Sequence, residues 1–159
     1  MADEADKRDD LKIEGDKATW DMSAIGNIRG TYMGTFVFRC FLTPLMQIAA
    51  GREERALIGE NFAFAADHEK FMAYALTQLK YRIISAPPFW SSAANGSIQG
   101  DLADAEIVSL VLGAAIDSEL KYKNEIKLRK ESAIERAKKA NDAIVMAQKE
   151  EEELNGERE

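Results

Sequence analysis

The chain has 159 residues, 46% of them apolar, which suits one globular domain and excludes a wholly disordered polymer. Lys and Arg number 21 against 28 Asp and Glu, and the resulting formal charge of −7 argues against general duplex binding, which needs clustered cations to displace phosphate counterions. One Cys (Cys40) and one His (His68) exclude an internal disulfide, a Cys-based zinc site and every His-rich metal centre within one chain.

Met1–Asp10 reads MADEADKRDD, without a cationic start followed by an apolar run, so no secretory signal is expected. Residues 1–17 mix acids and bases around Leu11 and Ile13 and read as a solvated tail. From Trp20 the composition turns apolar, and Gly26, Gly30 and Gly34 recur every fourth residue. On a helix they would share one face, but glycine is a poor interior residue, which favours a loop through Gly30 and a helix from Thr31.

Thr31–Ala50, TYMGTFVFRCFLTPLMQIAA, is the most hydrophobic stretch and has the length to reach across a bilayer. A central Arg39, the interruption at Pro44 and four polar side chains argue instead for a buried core helix, bent at Pro44 and stopped by Gly51. No membrane partner is expected, and the chain is placed in the cytoplasm. Cys40 reads as a small buried hydrophobe on that helix.

A short helix follows over about residues 52–58, closed by Gly59. The next runs over about 64–85, with Phe64, Phe71, Met72, Ala75, Leu76, Leu79 and Ile83 at helical spacings. His68 falls on the edge of that stripe and reads as a packed, hydrogen-bonded histidine.

Residues 86–100, APPFWSSAANGSIQG, form a loop rich in Pro, Ser, Asn and Gly. Pro87, Pro88, Phe89 and Trp90 are the candidate protein-contact residues, since large aromatics in a rigid frame suit binding hot spots. The same residues would serve equally to fold back and plug the core, and both readings stand. Asp101 and Asp104 then mark a helix start.

No Gly or Pro falls between Gly113 and Gly156, so one helix over about residues 102–153 is permitted, roughly 75 Å long at ~1.5 Å per residue. Ile107, Leu110, Val111, Ala114 and Ala115 give it a core face. Farther on, Ala133, Ala137, Ala140, Ile144 and Ala147 form a heptad seam built mostly from alanine, which packs closely and buries little area.

The eight bases of residues 121–139 are interleaved with Glu125, Glu131 and Glu135, no aromatic follows Tyr122 to stack a base, and the final segment is acidic. A solvated or protein-binding arm is therefore expected, and no nucleic-acid partner. The predicted fold is all-α: a charged tail over 1–17, a compact helical body over 18–120, and a charged helical arm with an acidic tail over 121–159, projecting from the body.

No P-loop, dinucleotide fingerprint, paired Glu-x-x-His motif or nucleophile elbow occurs, and no carboxylate pair is distinguished by spacing. No enzymatic activity is expected, and no catalytic, cofactor-binding or metal-ligating residue is assigned.

The segment ALTQLKYRIISAPPFW, a polar loop, then GDLADAEIVSLVLGAAI and a charged tail, covering about residues 70–120, resemble the tail assembly chaperones of long-tailed bacteriophages. The resemblance implies a non-enzymatic morphogenesis factor in the host cytoplasm. Such a factor binds tape measure and tail tube proteins during tail building and leaves before the virion is complete. The other expectation is a structural virion protein of the neck, connector or baseplate, held by helix–helix packing with neighbouring subunits. Homo-oligomerisation is compatible with either.

Overall fold

The structure, a computed structural model, describes residues 10–91 and 104–156. It overturns the all-α expectation: β1 (Leu11–Glu14), β2 (Lys17–Ile25) and β3 (Thr31–Arg39) form an antiparallel meander, and β4 (Ile83–Ser85) joins beyond β3 in the order β1-β2-β3-β4. The charged tail thus ends at the first strand, with residues 1–9 outside the described residues.

The register shows why these segments are strands. Trp20 lies opposite Leu11 and Phe36, and Ala18 opposite Phe38. Side chains alternate across a pleated sheet, so Ala18, Trp20, Met22, Tyr32, Phe36 and Phe38 share one face, and all are buried. The other face carries Ser23, Met33 and the Thr35–Asp21 hydrogen bond at 2.6 Å. Phe36 and Phe38 stack at 5.7 Å between ring centroids, with Trp20 at 6.0 Å from Phe36. The expected core helix from Thr31 is instead a strand of aromatic and β-branched residues, with Cys40 buried just past its end.

Pro44 starts a helix rather than bending one. Thr43 Oγ1 accepts the Met46 N–H at 3.3 Å, and Pro44 occupies the first turn, where its missing N–H has no partner to lose. Helix α1 (Pro44–Ile58) runs through Gly51 and ends where the Gly59 N–H donates to the Arg55 carbonyl at 3.0 Å. The separate helix expected over 52–58 is therefore the second half of α1.

A 3-10 turn, Phe62–Phe64, leads to α2 (Asp67–Arg82), which begins three residues later than expected and gives way to β4. His68 lies exposed on its first turn rather than packed. Glu53 links the two helices, accepting from Lys80 Nζ at 2.7 Å and from the Tyr81 hydroxyl at 2.6 Å. Those two donors hold Glu53 below the usual carboxylate range, and the same bonds raise Lys80 and Tyr81.

After α3 (Pro88–Ser91), residues 92–103 lie outside the described residues, and with them most of the loop and Asp101. Helix α4 runs unbroken from Ala105 to Gly156. Its first part buries Ile107, Val108, Val111, Leu112, Ala114 and Ala115 in the same core as the inner face of the sheet. Arg82 Nη1 meets Glu119 Oε2 at 2.6 Å, and Lys121 Nζ donates to the Leu11 carbonyl at 2.9 Å.

Two compact units result, divided between Tyr122 and Lys123. In the second, no described side chain is buried, and the helix carries i,i+4 ion pairs such as Glu135–Lys139 at 3.0 Å. Among the described residues no helix is long and apolar enough to cross a membrane.

Candidate functional site

The predicted contact tetrapeptide is folded against the sheet. Gly34, at a φ of 154°, has no Cβ, and one built there would collide with Pro87. Pro87 is buried, and Phe89 meets Tyr32 edge-on at 5.1 Å and Phe36 at 6.0 Å. Trp90 closes edge-on over Phe36 at 5.5 Å and is 1% exposed. Pro88 alone of the four is exposed, so the tetrapeptide plugs the aromatic face of the sheet in this structure.

Beside this plug, a carboxylate clasp fixes the tip of the β2–β3 hairpin. Asp104 stands at the start of α4, where its carbonyl accepts the Ile107 N–H at 3.1 Å. Its side chain is turned to the hairpin, accepting the Ile28 N–H at 2.6 Å, the Arg29 N–H at 2.9 Å and the Tyr32 hydroxyl at 2.6 Å. Glu106 takes the remaining tip amide, that of Asn27, at 2.8 Å. Three successive amides thus point at carboxylates from one helix start, a concave backbone nest for negative charge.

Burial pushes the Asp104 carboxyl upward. The Tyr32 hydroxyl, the Arg29 and Ile28 amides and the adjacent Glu106 carboxyl outweigh it and hold Asp104 below its ordinary range. Tyr32 is correspondingly raised, first by its bond to that carboxylate and then by burial. A carboxylate held ionised by three donors has no proton to give near neutrality, so the cluster is a fastening rather than acid–base machinery.

The surface that stays unfastened is on the helical hairpin. Between α1 and α2 lies a cleft of about 300 Å³ lined by Leu57, Ile58, Ala73 and Leu76, with Glu69 on its rim. Glu69 is turned back to the Ala66 N–H at 3.0 Å, which leaves the lining mainly apolar. Only Ala50 of α1 is buried, while Leu45 is 79% exposed and Phe64, on the connection to α2, is 91% exposed. Ile48, Phe71 and Tyr74 add to the apolar area. Exposed apolar groups gathered on one supersecondary unit fit recognition of another apolar surface.

Sequence reasoning placed Phe64 and Phe71 in the core, because their spacing is helical. The signal that could have exposed Phe64 is the Ala66-Asp67 boundary with Glu69 three residues on, which starts the helix after the phenylalanine.

Among the described residues no group of three or more His, Cys, Asp or Glu side chains is placed to hold a metal ion. Compared with protein-family models, with curated proteins and with solved structures, the chain gives no match.

Proposed function

We propose that the protein works by binding another protein rather than by catalysis, as a phage morphogenesis factor of the tail assembly chaperone kind. The observation that carries this reading is the apolar surface of α1 and α2, with Phe64, Leu45 and the Leu57–Leu76 cleft turned outward on an acidic chain. The client is an apolar helical segment of a tape measure or tail tube protein, laid against α1–α2 with its own apolar side. Occupying that segment lowers the free concentration of its aggregation-prone form, and the net negative charge keeps the pair soluble. The working place is the host cytoplasm.

The experiment is mass spectrometry of a pull-down with the tagged full chain from native lysate, beside the protein content of purified particles. Tail proteins in the pull-down, lost on Phe64→Ser with Leu45→Ser, and absence of the protein from finished particles support the chaperone reading. Recovery of the same proteins by the double variant overturns α1–α2 as the client face.

A structural virion role is the second reading, favoured by the exposed heptad seam of α4. A fixed copy number in finished particles selects it.

A further inference from the structure

The part of α4 from Lys123 onward holds no buried side chain, yet its sequence is patterned as though one face were meant to be covered. The alanine-rich seam of residues 133–147 extends at the same alternating spacing of three and four to Ile126 at one end and Leu154 at the other. Two residues interrupt it, Lys130 and Glu151, one near each end. Small seam residues let two helix backbones approach closely, so a second helix can cover this face with modest area but good contact.

Charge identifies that second helix. Residues 123–139 hold seven Lys or Arg against three Glu, a net +4, whereas residues 140–156 hold one Lys against five acids, a net −4. The arm is therefore its own electrostatic complement when turned end for end. We propose that two copies of the chain pair through their arms as an antiparallel two-helix coiled coil, centred near Ala140, under a two-fold axis.

The seam interruptions argue for the same orientation. In a parallel pair, each seam layer sets a residue against its own copy, so Lys130 would face Lys130 and Glu151 would face Glu151 in a partly dry interface. Reversing one helix brings Lys130 toward Glu151 of the other copy and relieves both. Flanking positions follow suit. Arg129 and Glu150 lie on the same side of the seam at opposite ends, and across an antiparallel pair they meet twice. In a parallel pair, the residues that Arg129 and Glu150 would face are Ile134 and Asn155, which offer no charge. The ion pairs already present within the helix, such as Glu125–Arg129, are solvent-exposed and readily exchanged. This inference is independent of the client-binding reading, which concerns α1 and α2.

The test is sedimentation equilibrium of the full chain over a range of concentrations, followed by cysteine cross-linking in a Cys40→Ala background. The expected result is a reversible monomer–dimer equilibrium, weakened severalfold when ionic strength rises from about 0.05 to 0.5 M. Ile144→Glu, which sets a charge in the seam, should weaken it by about tenfold or more with helical content unchanged.

Arg129→Glu should weaken pairing, and adding Glu150→Arg to the same chain should restore it. A mixture of Lys127→Cys and Gln148→Cys chains should yield the mixed disulfide dimer, while Lys127→Cys alone should not link to itself. A monomer at every concentration overturns the proposal. So does self-linking of Lys127→Cys, which marks a parallel pair, and so does a dimer unaffected by Ile144→Glu, which lies elsewhere on the chain.

Discussion

Asp104 and Tyr32, 72 residues apart in the chain, share a hydrogen bond of 2.6 Å that fastens the start of α4 to the aromatic strand of the sheet. Around it the Ile28 and Arg29 amides complete a cluster in which one carboxylate satisfies three donors. The hairpin tip and the helix start are held by the same group, so neither can move without exposing the other's polar atoms.

This arrangement fixes a pH dependence. The folded state holds Asp104 below the value its carboxyl takes in the unfolded chain, so the unfolded state takes up a proton first as pH falls. The contribution to stability is complete above the ordinary carboxylate range, near about pH 4, and is lost as pH drops through the lowered folded value. Asp104→Asn should melt at least about 5 °C below the parent at neutral pH, and the gap should narrow in acid, as followed by circular dichroism. Equal melting curves for the two at neutral pH would refute the clasp.

Gly34 and Pro87 make a steric prediction. Gly34→Ala adds a methyl where Pro87 already sits, at a backbone conformation that favours glycine, and should lower stability by about 2 kcal/mol or more. Pro87→Ala in the same chain should recover part of that loss, because it removes the ring that the methyl meets. Urea titration of the two single variants and the double variant measures the coupling.

The Arg82–Glu119 pair is largely covered, with side-chain exposures of 10% and 22%. Removing one partner leaves the other charge poorly solvated, so Arg82→Ala should cost about 3 kcal/mol, near the low end for a buried pair because Glu119 keeps some access to water. Replacing both together, Arg82→Met with Glu119→Leu, should cost less than Arg82→Ala alone. A double variant weaker than the single one would contradict this account.

Trp90 and Phe64 should separate stability from binding. Trp90 is enclosed by the sheet, and Trp90→Ala is expected to lose about 3–5 kcal/mol, enough to unfold a marginal body. Phe64 stands in solvent, and Phe64→Ser should stay within about 0.5 kcal/mol of the parent in denaturant titration. If Phe64→Ser destabilised the chain as Trp90→Ala does, the aromatic surface on the α1–α2 connection would be part of the core.

The unbroken C-terminal helix was readable in advance, since a run from Gly113 to Gly156 without Gly or Pro, rich in Ala, Glu and Lys, has no competing structure. The sheet was not. In β3 the alternation of Tyr32, Gly34, Phe36 and Phe38 is masked by Met33 and Val37 on the open face, so the segment resembles a uniformly apolar helix. The four-residue spacing of Gly26, Gly30 and Gly34 has a different cause at each position, a close approach to Asp104, a turn and a close approach to Pro87. Glu14-Gly15-Asp16-Lys17 did carry a local hairpin signal, a two-residue loop between strands, hidden by the charges around it. The clasp was out of reach because it joins residues more than 70 positions apart, which no local spacing encodes.

That separation also orders events during synthesis. The strands bearing Trp20, Phe36 and Phe38 leave the ribosome well before Trp90 and the first turns of α4, which cover them. Until residue 122 has emerged, the growing chain presents an uncapped aromatic sheet with open edges, a template for wrong pairing. The long, soluble arm emerges last. By the time it can meet its copy, each body has already closed, so assembly joins finished units rather than half-made ones.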